Sequence, residues 1–273
     1  MESSEPNTMT LIKISSIQSE IADYNCQLII NHLSEKLDTP MEFVGNIPWQ
    51  DREKLFDRGE IHACWMCSLP YIWRAGQVSR PIELLAAPVM KPARYHNKPV
   101  YFSDVIVHRN SKFRKFEDLR NASWAYNEPH SHSGYNITRY KLATMGITNG
   151  YFGQVIVSGS HTGSLELILD RRVDASAIDT TVLDLLLTEK PEIGEQIRVI
   201  DTWGPSPIPP WVISKSLSPE LRQSIRRSLL GMHRHAEGRK ILDQGLIDHF
   251  AQVDDHHYDT IREMFRTASS VSL

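Results

Sequence analysis

Short apolar runs alternate with helix-patterned stretches along most of this chain, and that alternation limits its fold more than any other feature. Leu11 to Ile17 reads as a strand, after which Ser19 caps a helix carrying Ile21, Tyr24, Leu28, Leu33 and Leu37 at helical spacing. Met41 to Val44 is a second strand, and Pro48 opens a helix from Trp49 to Arg58 that stops at Gly59. Ile61 to Met66 is a third strand, Ser68-Leu69-Pro70 starts a helix to Gly76, and Ile82 to Met90 is a fourth strand. Strands and helices in this order, joined by short turns, predict an α/β lobe with a largely parallel sheet.

The rhythm resumes after the turn Asn97-Lys98-Pro99. Val100 to Val107 is extended, Phe116 to Leu119 makes a helical turn, and Ala122 to Tyr126 is a short buried strand. Asn136 to Met145 reads as a helix closed by Gly146, and Val155 to Val157 as a strand. The polar turn Ser158 to Gly163 then enters a helix with Leu165, Ile168 and Leu169 on one face. Val173 to Ile178 is a strand ending at Asp179, and Thr180 opens a helix over Val182–Leu187. Ile197 to Ile200 is strand-like, whereas the proline-dense run Trp203 to Pro210 predicts no regular structure. Trp211-Val212-Ile213 carries the chain back, and Ser218 to Phe265 reads as helical, with Leu221, Ile225, Leu229 and Met232 on one face. The expected domains are therefore a first lobe beginning with residues 9–100, a second lobe over 101–205, and a return to the first lobe over 206–273. The 273 residues suffice for two modest lobes.

Apolar residues make up 41% of the chain and charged ones 23%, as in ordinary soluble globular proteins. The net charge is −3, from 30 basic and 33 acidic residues, with no long run of either sign. That argues against nucleic-acid binding and against a basic membrane anchor. No apolar run reaches the roughly 18 residues that span a bilayer. Met1 to Thr8 lacks the positive and apolar regions of a secretory signal. As written, the chain reads as cytoplasmic, or as periplasmic where a leader has been removed. Cys26, Cys64 and Cys67 are three thiols that cannot all pair. Cys64 and Cys67 have C-x-x-C spacing without a second pair or a thioredoxin-like context, so buried free thiols are expected.

The most distinctive stretch is Asn127-Glu128-Pro129-His130-Ser131-His132-Ser133-Gly134-Tyr135, between the strand at Ala122–Tyr126 and the helix from Asn136. The first N–H groups of a helix lack internal partners, and the helix dipole puts partial positive charge there. Ser131 and Ser133 add hydroxyl donors, and Gly134 lets backbone approach an oxyanion. An ordinary serine N-cap with no ligand is the alternative for this stretch alone. Two further polar turns follow strands, around Cys67-Ser68 and around Ser160-Thr162. Ligands of open α/β sheets sit outside the carboxyl ends of strands, so three such turns from two lobes can converge on a small polar anion.

Among the histidines, His161 at a helix start is either an oxyanion donor or a polar loop residue. His130 and His132 have the i,i+2 spacing of a zinc pair but no third ligand at suggestive spacing, so no metal and no cofactor is expected. His233, His235, His256 and His257 read as solvated surface residues. Asp179 either accepts from a proton-bearing ligand oxygen or caps the Thr180 helix. No G-x-S-x-G elbow, Walker loop or G-x-G-x-x-G fingerprint is present, which leaves no catalytic residue to name.

Taken together, these pieces resemble the PhnD-like substrate-binding proteins of phosphonate, phosphite and phosphate ABC transporters. Tyr101-Phe102-Ser103-Asp104-Val105-Ile106-Val107 is similar to that family's aromatic-Ser crossing strand, and Ser131-His132-Ser133-Gly134-Tyr135 to its Ser-Thr-Ser-Gly-aromatic oxyanion loop. Gly159-Ser160-His161 followed by Val173-Asp174-Ala175 resembles its Gly-His turn and V-D-A strand. The resemblance implies an α/β, two-lobed type 2 periplasmic-binding-protein fold with two crossing hinge strands and a cleft that closes on ligand. It implies that Ser131, His132, Ser133 and Gly134 hold phosphonyl oxygens, that His161 and the Tyr101/Phe102 position complete the shell, and that Asp179 accepts from a protonated oxygen. His132 stands where the family has a small hydroxyl residue. Thr181 and Pro209/Pro210 stand where aminoalkylphosphonate binders place carboxylates, and Trp65, Cys67 and Trp203 would give an aromatic or apolar wall. The implied partners are a small oxyanion and an ABC permease. Two other readings of the same fold are a cytosolic ligand sensor and a biosynthetic enzyme, for example one handling a pyrimidine precursor through His130, His132 or Cys67.

Overall fold

The structure, a computed structural model, describes residues 11–79 and 81–273. Met1–Thr8 lies outside them. The first part of the chain contributes β1 (Ile12–Ile17), α1 (Asp23–Leu37), β2 (Met41–Phe43), α2 (Trp49–Asp57), β3 (Ala63–Met66), α3 (Ser68–Ala75) and β4 (Ile82–Met90). The middle contributes β5 (Val100–His108), β6 (Ser123–Tyr126), α4 (Ile137–Thr144), β7 (Gln154–Val157), α5 (His161–Leu169), β8 (Ala175–Asp179), α6 (Thr180–Glu189), α7 (Glu192–Gln196) and β9 (Ile197–Pro207). The chain ends with β10 (Trp211–Ser214), α8 (Pro219–Gly231), α9 (Ala236–Gln244), β11 (Ile247–Ala251) and α10 (Asp259–Thr267).

These strands form two sheets, one in each lobe of an α/β, two-lobed periplasmic-binding-protein fold. The first has the order β11-β4-β10-β3-β1-β2 and the second β7-β6-β8-β5-β9. Both are mixed rather than largely parallel. β1 runs parallel to β2 and β3, but the returning β10 inserts antiparallel between β3 and β4, and β11 pairs antiparallel with the far edge of β4. In the second sheet β6 is parallel to β7 and β8, while β5 is antiparallel to β8 and β9. The chain crosses between lobes from β4 to β5 and from β9 to β10. The crossings lie side by side, with the Ile208 N–H donating to the Pro99 carbonyl at 3.1 Å.

Three local readings of the sequence are corrected. Trp203–Pro207 is part of β9, whose register with β5 shifts twice, and those irregularities accommodate a run that looks incompatible with a ladder. Ile247–Ala251 is a strand and not helix. Ile247 and Phe250 have helical spacing, but a register shift between Ile247 and His249 turns both toward the core. Finally, α1 buries Cys26, Ile29, Ile30 and Leu33, leaving Tyr24 69% exposed, so its apolar face is rotated from the one the spacing suggested.

Candidate anion site between the lobes

The serine loop leaves the carboxyl end of β6 and winds into α4 through a wide first turn, His132–Asn136, of π type. No residue pattern marks that turn, which starts four residues before the expected helix. Ser131 is its N-cap, with Oγ accepting from the Gly134 N–H at 3.0 Å. Any side chain at 134 would have to displace Asn127. A Cβ there would lie 2.0 Å from Asn127 Oδ1 and 3.2 Å from His161 Cε1. The tight fit presses the loop onto Asn127, at the end of β6, and onto His161, the first residue of α5.

This packing brings Ser131, Ser133 and His161 together in a buried cluster. Ser131 and Ser133 hydroxyls are 3.5 Å apart, and Ser133 Oγ is 3.0 Å from His161 Nε2, which also lies 3.4 Å from Asn127 Nδ2. Burial depresses the His161 pKa to about 3, so the ring is neutral, and its Nδ1 is buried without a partner. Tyr101, from the crossing strand β5, is fully buried and its hydroxyl likewise has no partner. Burial pushes that hydroxyl well above its usual pKa, while the neighbouring hydroxyls of Ser133 and Ser68 act weakly in the opposite sense. Tyr101 is thus a protonated donor among serines of both lobes.

The other residues singled out from sequence divide. The backbone N–H of His132 points at Cys67 Sγ of the first lobe, 3.5 Å away. Its ring turns inward, accepting from Asn136 Nδ2 at 3.1 Å on Nδ1 and meeting Ser206 Oγ at 3.0 Å through Nε2. Desolvation lowers its pKa to about 3, so with Asn136 donating to Nδ1 the single ring proton sits on Nε2. Cys67 caps α3, and burial pushes its thiol up to about 12. Cys26 and Cys64 are also buried and free. Asp179 caps α6: Oδ1 accepts from the Thr181 N–H at 2.8 Å and its hydroxyl at 2.7 Å, and Oδ2 accepts from Gln18 Nε2 of the first lobe at 2.9 Å. Both carboxylate oxygens are therefore engaged by protein, and burial raises the Asp179 pKa to about 6.

Phe102 is half-buried and faces the other way from Tyr101, as alternation along a strand requires, packing under Arg94 (5.6 Å) and beside Tyr95 (6.2 Å). Trp203 lies in the second lobe's core, with its ring 4.9 Å from that of Phe116, and forms no cleft wall. Trp65 stacks on Trp211 and donates to the Pro209 carbonyl at 2.9 Å. With Gln18, Met90, Thr181 and Leu185 it also borders a cavity of about 20 Å³ between the lobes. His130 diverges from His132: it is half exposed, 3.3 Å from Glu53 of α2. Sequence reasoning missed Gln18, Asn127, Asn136 and Ser206. Gln18, Asn127 and Ser206 meet partners 161, 34 and 74 positions away, which no local spacing marks, and Asn136 meets His132 four positions back only through the π turn.

The family model for the periplasmic phosphonate substrate-binding proteins of ABC transporters matches residues 14–258. The phosphonates-binding periplasmic protein of Escherichia coli (strain K12) is 27% identical over 153 residues, 54% of this chain and 44% of that protein. The match thus spans less than half of that relative's length. Two solved structures share the fold. PhnD1 of Prochlorococcus marinus in complex with methylphosphonate superposes with a TM-score of 0.83 at 17% identity, covering 96% of this chain and 99% of that one. A binding-protein component of a phosphonate ABC transporter from Pseudomonas aeruginosa gives 0.82 at 20% identity, covering 96% of this chain and 87% of that one. With two mixed-sheet lobes, side-by-side crossings and a family match running from β1 to the start of the last helix, the chain belongs to the periplasmic phosphonate substrate-binding proteins of ABC transporters.

Proposed function

We propose that this protein captures a phosphonate-, phosphite- or phosphate-like oxyanion between its lobes and presents it to an ABC permease, working in the periplasm as its family does. The lobes so proposed meet near residues 100 and 206. The observation that carries the reading is the buried set of neutral hydrogen-bond groups Ser131, Ser133, His161 and Tyr101, drawn from three elements. A hydroxyl left without a partner in a dry interior costs about 1–3 kcal/mol, and a ligand oxygen at Tyr101 would remove that penalty. Neutral donors at helix N-termini suit a dehydrated tetrahedral anion, since each bond to it is charge-assisted. Closure of the lobes would convert binding into a shape that a permease reads.

Two further observations favour binding over turnover and speak against an amine-bearing ligand. The Cys67 thiol, held near 12, is protonated at neutral pH, and the His132 ring is engaged by Asn136 and Ser206. The small cavity walled by Trp65, Met90 and Leu185 has no carboxylate in its lining, so that part of the join offers no partner for an amine. Thermal-shift titration with phosphate, phosphite, methylphosphonate and sulfate tests the reading. A rise in Tm with at least one phosphorus oxyanion, larger than with sulfate, is expected. No shift with any of the three phosphorus oxyanions would overturn it.

A further inference from the structure

We infer that the C-terminal tail is a strap between the lobes that limits how far the cleft opens, an inference that rests on the reading of the molecule as a closing two-lobed binder. The two crossings at Pro99 and Ile208 join the lobes at the hinge. The end of the chain makes a third connection. It begins on the first lobe, where Tyr258 packs on Tyr71 of α3 with ring centroids 4.6 Å apart, and Tyr71 Oη donates to Asp255 at 2.8 Å. Further along α10, Phe265 meets Trp73 edge-on at 5.8 Å.

The same segment ends on the second lobe. Ala268 and Val271 are 0% and 4% exposed, and Val271 belongs to the cluster that holds Ile137 and Leu142 of α4. Arg139 of α4 donates to the Val271 carbonyl at 2.7 Å and to the Ala268 carbonyl at 2.6 Å, and the Ser272 N–H donates to the Thr148 carbonyl at 2.9 Å. Chain ends are ordinarily frayed unless tied down, and this one is tied to the opposite lobe from the one it leaves.

The anchor point matters, because α4 is the helix whose first turn carries the serine loop. The Arg139 guanidinium also lies 5.1 Å over the Tyr135 ring of that loop. Trp73 touches both sides of the join, with Phe265 on one edge and His130 of the second lobe 5.1 Å away on another. Parting the lobes along α3 and α4 therefore requires Tyr258 and Phe265 to leave α3, or Val271 and Ser272 to leave the second lobe. Either move exposes buried apolar surface and breaks hydrogen bonds made by a charged side chain, so the strap favours near-closed geometries in the absence of ligand. A larger near-closed fraction raises apparent affinity in proportion.

The test compares the intact chain with one ending at Thr267 and with two full-length variants, Arg139→Ala and Ser272→Pro, which remove the guanidinium clamp and the Ser272 donor. Small-angle scattering without ligand is expected to give a larger radius of gyration for all three. With saturating methylphosphonate the radii should converge. If the near-closed fraction falls from about one half to one tenth, methylphosphonate affinity falls about fivefold. Superimposable ligand-free scattering for intact and altered chains would overturn the strap. Should the shortened chain fail to fold, the two full-length variants decide by the same measurement. Failure of the intact chain to bind methylphosphonate, phosphite or phosphate would instead count against the proposed function, and the ligand-free scattering would still decide whether the tail restrains opening.

Discussion

The turns that follow β6 and β8 are near neighbours with the same topology and opposite electrostatics. Both leave the carboxyl ends of paired parallel strands, and both open a helical element with a side chain that accepts from the backbone two or three residues on. After β6 the cap is Ser131, surrounded by neutral groups: Ser133, a histidine whose ring stays uncharged, and Tyr101. After β8 the cap is Asp179, whose two oxygens are already taken by Thr181 and Gln18. A helix N-terminus is thus not a binding site in itself. It receives an anion only where the cap is neutral and hydroxyls remain to donate; a carboxylate cap fills the positive end of its own helix and repels a second negative charge.

The strongest way to break this contrast is to remove the hydroxyls. In a Ser131→Ala/Ser133→Ala double variant each lost charge-assisted bond costs about 1.5–3 kcal/mol, so phosphorus-oxyanion affinity should fall at least about a hundredfold. Loss of the Ser131 cap adds about 1 kcal/mol of destabilisation, which leaves the fold intact. Calorimetric titration that gives the same affinity as the native chain would refute the assignment of this turn.

Much of the contrast was readable from the residues and part of it was not. The strand-then-helix order around Ser131, His161 and Asp179 follows from apolar runs that end in small polar residues, and the structure keeps those elements. What Asp179 does was open between ligand contact and capping, because Gln18 lies 161 positions away and nothing local marks it as the second partner. The side of β5 that faces the site was equally hidden: Tyr101 and Phe102 are adjacent aromatics, and only the pairing of β5 with β8 and β9 fixes which one points inward. Trp203 was misplaced for the same reason, since a proline-rich run conceals that it belongs to a strand facing the second lobe's core. The position of His132 was visible but its inward ring was not, because Asn136 and Ser206 meet it only after the π turn forms.

A second test sharpens the claim that the β6 turn is held neutral, through the pH dependence of stability. His161 has a folded pKa of about 3, against about 6.5 when unfolded. Below about pH 6.5 the unfolded chain takes up a proton that the folded chain refuses, so this histidine's contribution to stability shrinks as pH falls toward 3. In His161→Gln that dependence is absent. The stability gap between native and variant chains, measured by urea unfolding, should narrow by about 2 kcal/mol between pH 7.5 and pH 5, at about 1.4 kcal/mol per unit below 6.5. A gap that stays constant across that range would mean the ring titrates alike in both states, contrary to a buried neutral imidazole.

The smallest effect is expected at the β8 turn itself. The Asp179 charge reaches into the site, where it helps to raise both the Tyr101 hydroxyl and the Cys67 thiol. Its own pKa of about 6 makes it largely ionised at pH 7.5 and largely protonated at pH 5. An anion bound beside Ser131 should therefore feel more repulsion at the higher pH. One screened charge several ångströms away supplies a fraction of a kcal/mol, about two- to fivefold in affinity. Asp179→Asn, which retains an acceptor for the Thr181 N–H, should bind sulfate or methylphosphonate about two- to fivefold more tightly than the native chain at pH 7.5 and equally well at pH 5. Sulfate stays doubly charged at both pH values, and the charge of methylphosphonate at a given pH is common to the two chains, so titrating them side by side isolates the carboxylate. If the variant binds more weakly at both pH values, Asp179 is accepting from the ligand after all, and the two turns act as partners in one site.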